Sequence, residues 1–189
     1  MAAELKLKGI NFNGTLGAFA EHYGDEARAS LLASLEGEIG EALRGGMIIA
    51  SGWYPASWYG ALLAAIVDQV GGGDDTARTL AREAVKADFQ TLFKVVRLFL
   101  SPEKAAQQAM RVSKRYVDGG VIEVVSQEHG EVQYRFREYH GYTRLMWRDF
   151  IGGIEGVLEN MGAEDLRNRI ITGGNDGNDH LDVAFRWNA

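Results

Sequence analysis

The residues that most often perform chemistry are scarce in this chain. There are four histidines, His22, His129, His140 and His180, and no cysteine. No two histidines stand three or four residues apart, the spacing that sets two metal ligands on one helix face. His22 is expected near a helix end, His129 in a hairpin turn and His180 at a strand start, and only His140, next to Tyr139, has an aromatic setting. The missing cysteines remove disulfides, thiolate nucleophiles and cysteine-held zinc or iron–sulfur sites together. No serine lies in a nucleophile-elbow context. Gly71-Gly72-Gly73 precedes a helix but lacks the Gly-Lys-Ser/Thr ending of a phosphate loop. The stretch Gly173 to Leu181 is one residue out of step with the calcium-binding nonapeptide of β-rolls and occurs once, so Asn, Asp and Gly are read there as a strand-to-strand turn. The expectation is no catalytic centre, no metal and no cofactor.

What remains is apolar. Trp53, Tyr54, Trp58 and Tyr59 form a dense aromatic cluster that Phe89, Phe93 and Trp147 could complete. These rings read either as core or as the wall of a pocket for a small apolar or aromatic ligand, since rings offer large contact area at small entropic cost. Gly152 and Gly156 lie four apart on a helix and cost it roughly 1 kcal/mol each against alanine, so they point to close backbone packing, and a homodimer or other protein interface is one use for it. Glu155 and Glu159, on the same helix, read as a solvated face.

The elements that would position these residues divide near Gly119-Gly120. Before it the apolar period is helical. Leu5 and Leu7 alternate with lysines as a short strand, and Phe12, Leu16 and Phe19 begin a helix that Gly24 ends. Asp25 is expected to cap the next helix, and Glu36 to Gly46 is expected to be loose. Trp53-Tyr54-Pro55 is expected to open a helix running through Val70, and Asp74-Asp75 a long one ending before Ser101-Pro102. Pro102 opens a further helix to about Val117. After the divide the period is two: Val121–Val125 and Val132–Arg137 read as a hairpin, Thr143–Met161 as a helix, and Arg167–Thr172 and His180–Trp187 as strands. The fold class is therefore α+β, with N-terminal helices followed by a β-β-α-β-β antiparallel sheet unit. Its 189 residues suit a single domain, mainly helical over 1–118 and sheet with one packed helix over 119–189.

Apolar residues make up 46% and charged residues 24%, near the globular average. A net charge of −6 argues against a nucleic-acid partner, and the basic positions Lys94, Arg97, Lys104, Arg111, Lys114 and Arg115 read as a solvated helix face. No run of about 18 apolar residues exists to span a membrane, and the start lacks the apolar run of a signal peptide. A cysteine-free chain fits the reducing cytoplasm.

Several segments carry a family likeness. Leu7-Lys8-Gly9-Ile10 through Phe19, then Glu21-His22-Tyr23-Gly24-Asp25-Glu26, resembles the start of heme–nitric-oxide-binding domains. Phe150 to Leu158 resembles their late helix, and equally that of vinyl-reductase-type ligand-sensing domains. Trp53-Tyr54-Pro55, the Arg97–Pro102 stretch and Phe185-Arg186-Trp187 resemble landmarks of a paralogous protein family of fruiting-body-forming bacteria. The resemblance implies a heme–nitric-oxide-binding-like fold and a sensory role without catalysis. Its usual cofactors are not implied here. Residues 88–120 hold no histidine where those domains have the proximal ligand. Tyr134-Arg135-Phe136-Arg137-Glu138 lacks the serine and final arginine of their Tyr-x-Ser-x-Arg heme clamp. Residues 173–179 lack the cysteines with which vinyl-reductase-type domains hold zinc. The expected function is a heme-free sensory module for a small apolar ligand, the alternative a protein-interaction or scaffold module, as a homodimer, whose ancestral pocket has closed.

Overall fold

The computed structural model describes residues 4–91 and 101–188, without the side chains of 88–91, 109 and 110. Strand β1 (Lys6–Lys8) leads into α1 (Gly9–Tyr23), whose Phe12, Leu16 and Phe19 are buried as their spacing requires. Helix α2 (Asp25–Ser34) starts on Gly24, not on a side-chain cap: Asp25 makes no capping hydrogen bond and acts through its charge at the helix N-terminus. The glycine-rich stretch that follows is ordered as α3 (Gly37–Arg44), not loose. Ile39 and Ala42 bury one face of it, and the Arg44 guanidinium donates to the carbonyls of Leu32 and Leu35, fastening α3 to the end of α2.

Trp53–Pro55 is strand β2, not a first helical turn. It pairs antiparallel with β1 in the register Leu7↔Tyr54, and Pro55 occupies the N-cap of α4 (Ala56–Val70). Gly71-Gly72-Gly73 breaks the chain before α5 (Asp74–Thr91). The expected continuation of α5 to Leu100 lies outside the described residues. The single helix expected from Pro102 is two short ones, α6 (Pro102–Gln107), capped by the Ser101 hydroxyl, and α7 (Ala109–Ser113). Strand β3 (Val117–Asp118) joins the other side of β1, giving a small sheet in the order β2-β1-β3.

The second half follows the two-residue period. Strands β4 (Val121–Glu128), β5 (Glu131–Arg137), β6 (Glu164–Gly173) and β7 (Leu181–Asn188) form an antiparallel sheet in the order β4-β5-β7-β6, with α8 (Arg144–Asn160) between β5 and β6. Val132, Tyr134 and Phe136 of β5 and Leu181, Val183 and Phe185 of β7 send one buried row toward the helices. On the opposite face Asp182 takes Arg135 and Arg137 from the neighbouring strand, at 3.2 and 2.7 Å. One contiguous core unites both halves, from Leu5 to Trp187.

Among the described residues helices α5 and α8 share the most extensive contact of any two helices, and the sequence shows how. They run in the same direction, with Arg78 opposite Glu155 and Arg82 opposite Glu159. Glu155 and Glu159 are therefore not a solvated face: Glu155 is 1% exposed, grips Arg78 at 2.7 and 2.6 Å, and accepts from Asn168 at 2.6 Å. Gly152 and Gly156 lie beside these rungs, against Arg78 and Arg82. A Cβ on Gly152 would stand 2.0 Å from the Arg78 carbonyl oxygen, and one on Gly156 2.9 Å from that of Arg82. The close packing expected of these glycines is thus satisfied inside the chain by α5, which leaves no room there for a second copy.

Candidate functional site

Where α8 turns from α5 toward the sheet, its inner stripe of Met146, Asp149, Phe150, Gly153, Val157 and Met161 faces a cavity of about 290 Å³. The spacing of three and four along the stripe keeps every member on one helix face. Across the space stand Ile10, Gly14 and Thr15 of α1, Ala81, Ala84 and Val85 of α5, Ala105 and Ala106 of α6, and Ile122, Tyr134 and Phe136 of the sheet. Gly14, Ala81, Ala84, Ala105, Ala106 and Gly153 are small where larger core residues would fill the space. The Tyr134 hydroxyl donates to the Ala106 carbonyl at 3.0 Å, fixing α6 to the sheet at the cavity wall. The volume lies at the lower edge of small-ligand sites, and its walls are apolar as such sites are.

One end is polar. The Tyr59 hydroxyl, on α4, donates to Asp149 Oδ1 at 2.8 Å and lies 2.6 Å from Thr15 Oγ1. Tyr59 is 3% exposed and Thr15 is 2% exposed. Asp149 keeps some accessible surface although protein encloses it, because the area it presents is cavity wall. Burial pushes its carboxyl up to about 7, a rise that the Tyr59 hydrogen bond only partly opposes. The phenols of Tyr59 and Tyr142 are likewise driven up by burial, with the Asp149 charge adding to the effect.

The aromatic residues read from the sequence separate. Tyr59 lies on the cavity wall. Trp53 lies at the surface under the Lys8 ammonium, 5.2 Å from its ring. Tyr54 and Trp58 stack on each other outside the cavity, and the Tyr54 hydroxyl is occupied by the 47–49 backbone, donating to the Met47 carbonyl at 2.8 Å and accepting from Ile49 N–H at 2.9 Å. Trp147 is fully buried among Phe136, Tyr139 and Tyr142, behind the cavity rather than on it. Phe93 and the side chain of Phe89 lie outside the described residues. Trp53 and Tyr54 diverge because successive strand residues face opposite sides, and Trp58 and Tyr59 because successive helical positions point about 100° apart. Asp149 was not singled out from sequence, although a signal exists: it is an acid inside an otherwise apolar stripe at helical spacing.

The remaining polar candidates have structural surroundings. His140 and His180 both face Asp179, at 3.4 and 3.3 Å, while His22 faces Glu83 and His129 faces Glu103. In the Gly173–His180 connection Asp176 accepts from the Arg144 N–H at 2.7 Å, adding a second cap to α8 beside Thr143. No group of three potential metal ligands occurs among the described residues. Among them also, no helix is long and apolar enough to cross a membrane.

Heme is the group that the sequence resemblance brings to mind, and the cavity does not fit it. The described lining has no histidine to ligate iron and no lysine or arginine to meet propionates, and its one ionisable acid would repel them.

No family model matches this chain, and no curated protein matches its sequence. Its backbone does match solved structures along nearly its whole length. The Fe(II) unliganded H-NOX protein from K. algicida superposes with a TM-score of 0.72 at 16% identity, covering 97% of each chain. The H-NOX protein from S. oneidensis in the Fe(II)NO state gives 0.72 at 14% identity, covering 97% of this chain and 100% of the other. An oxygen-binding H-NOX domain related to soluble guanylate cyclases gives 0.71 at 13%, covering 97% and 96%. At such identities the likeness concerns backbone, and this chain has the H-NOX, or heme–nitric-oxide-binding, fold.

Proposed function

We propose that this chain is a non-enzymatic, heme-free sensory module that holds a small apolar or aromatic ligand in the cavity between α1, α5, α8 and the sheet. The observation that carries this reading is a largely apolar cavity with the hydrogen-bonded group Thr15–Tyr59–Asp149 in its wall. The fold supports it, since the neighbouring structures are of proteins described as binding nitric oxide or oxygen. In this reading Tyr59 and Asp149 orient the ligand while Phe150, Ile154 and Phe136 enclose it. The cysteine-free composition suits work in the cytoplasm. Kinship with the paralogous family of fruiting-body-forming bacteria rests on the sequence landmarks alone.

Native mass spectrometry and an absorbance spectrum of the protein purified from a bacterial host test the proposal. A bound small molecule that disappears in Ala84→Phe, which fills the cavity, is the expected result. A Soret band overturns the heme-free part. A protein that carries nothing and binds neither indole nor benzyl alcohol overturns the whole.

One observation favours a second reading, a protein-interaction module. Met47, Ile49 and Trp53 are 58, 59 and 39% exposed on adjoining backbone beside β2, an apolar patch a partner would cover. A native mass at twice 20.8 kDa that returns to a monomer in Ile49→Glu would establish it.

A further inference from the structure

The polar end of the cavity has a direction. Tyr59 spends its only hydroxyl hydrogen on Asp149 Oδ1, so the 2.6 Å bond between Thr15 and Tyr59 must be donated by Thr15. Both hydroxyls therefore point their hydrogens toward the carboxyl group, and Asp149 ends the chain as an acceptor. Among the described residues no hydrogen bond reaches its second oxygen. No lysine, arginine or histidine lies among the described lining either. Buried carboxylates are normally paired with a cation or a donor, and among the described residues none supplies one to Oδ2, which leaves the cavity that Asp149 lines as the place for it.

We propose that the cavity's ligand is a small organic amine, bound as its ammonium, which donates to Asp149 Oδ2 while its apolar body lies against Ile154 and Val157. This rests on the sensory reading above and names its ligand class. An ammonium offers three donors and a full positive charge. Tyr142 and Phe150 also line the cavity, and aromatic rings attract cations. An anionic ligand would meet the carboxylate in an apolar surrounding, and a neutral ligand without a donor would leave Oδ2 unpaired.

Isothermal titration calorimetry with benzylamine and its neutral isostere benzyl alcohol, on wild type and Asp149→Asn at pH 8, decides the matter. Benzylamine is expected to bind wild type at least about 10-fold more tightly than benzyl alcohol. Asp149→Asn is expected to weaken benzylamine about 10- to 100-fold, the worth of one charge-assisted hydrogen bond, and to leave benzyl alcohol within about 3-fold. If benzyl alcohol binds and benzylamine binds no more tightly, the amine assignment falls and the cavity reading stands. If neither binds, both fall. Should Asp149→Asn not fold, wild type alone suffices: benzylamine affinity must rise from pH 5.5 to 8.5 while that of benzyl alcohol does not, and the absence of a rise overturns the assignment. Among the described residues the titratable groups facing Asp149 are Tyr59 from α4 and Tyr142 ahead of α8, and both stay neutral across that range.

Discussion

Replacing Gly152 with alanine should destabilise the protein even though alanine is the better helix former. Alanine in a helix interior is worth about 1 kcal/mol over glycine. Against that, the new methyl carbon would lie 2.0 Å from the Arg78 carbonyl oxygen, 2.8 Å from its carbon and 2.9 Å from its Cα, where real contacts do not fall below 3.0 Å. The obstacle is backbone, so no rotamer relieves it, and α5 and α8 must part by about 1 Å. Overpacking of this kind costs roughly 1–3 kcal/mol. Parting the helices also stretches the Arg78–Glu155 pair, which flanks the glycine. With the stretched ion pair added, a net loss of about 1–2 kcal/mol is expected, a fall in Tm of about 2–8 °C for a chain of this length. Urea unfolding with linear extrapolation measures it. Gly17→Ala is the internal control: Gly17 is exposed in the middle of α1 with nothing within 4 Å of a new Cβ, so the same exchange should stabilise by about 0.5–1 kcal/mol. If Gly152→Ala matched Gly17→Ala in sign, the account of the α5–α8 contact would be wrong.

Stability should also depend on pH through Asp149. Its native carboxyl titrates near 7 because it is buried, so between roughly pH 4 and 7 the native state keeps a proton that the unfolded chain has lost. Stability should then fall with rising pH by up to about 1.4 kcal/mol per unit and level off above 7, and Asp149→Asn should flatten the slope between pH 5 and 7 in urea titrations. Asp74, Glu159 and Asp182 act in the opposite sense, their carboxyls held low by arginine or lysine partners, and their contribution is lost only on acidification below about pH 4. Arg78→Ala should cost about 3–5 kcal/mol because it strands the buried Glu155 carboxylate, and more than Glu155→Gln, whose freed arginine can reach water; equal losses in chemical denaturation would refute this asymmetry. Asp176→Ala should lower stability by about 1 kcal/mol through loss of the second α8 cap, read as a shift in the urea midpoint at unchanged slope.

The order of elements was legible in the sequence because it is written in short-range periods. A two-residue alternation at Val132, Tyr134 and Phe136 can bury one face only as a strand, and the spacing of Phe12, Leu16 and Phe19 can do so only as a helix. Segments whose form depends on partners were not legible. Gly37–Arg44 is helical because Arg44 reaches back to α2, and Trp53–Pro55 is extended because β1 lies beside it. The site divides in the same way. Composition and spacing alone exclude cysteine chemistry and a histidine ligand in residues 88–120, and they mark Gly152 and Gly156 as places of close approach. Which surface approaches them, which of the five described aromatic candidates meets a cavity, and that an acid at 149 faces inward beside a tyrosine 90 positions away are decided by how α1, α4, α5 and α8 pack. Local sequence sets the torsions of each element, whereas a cavity is space left between elements, and its existence depends on contacts that no single stretch of chain contains.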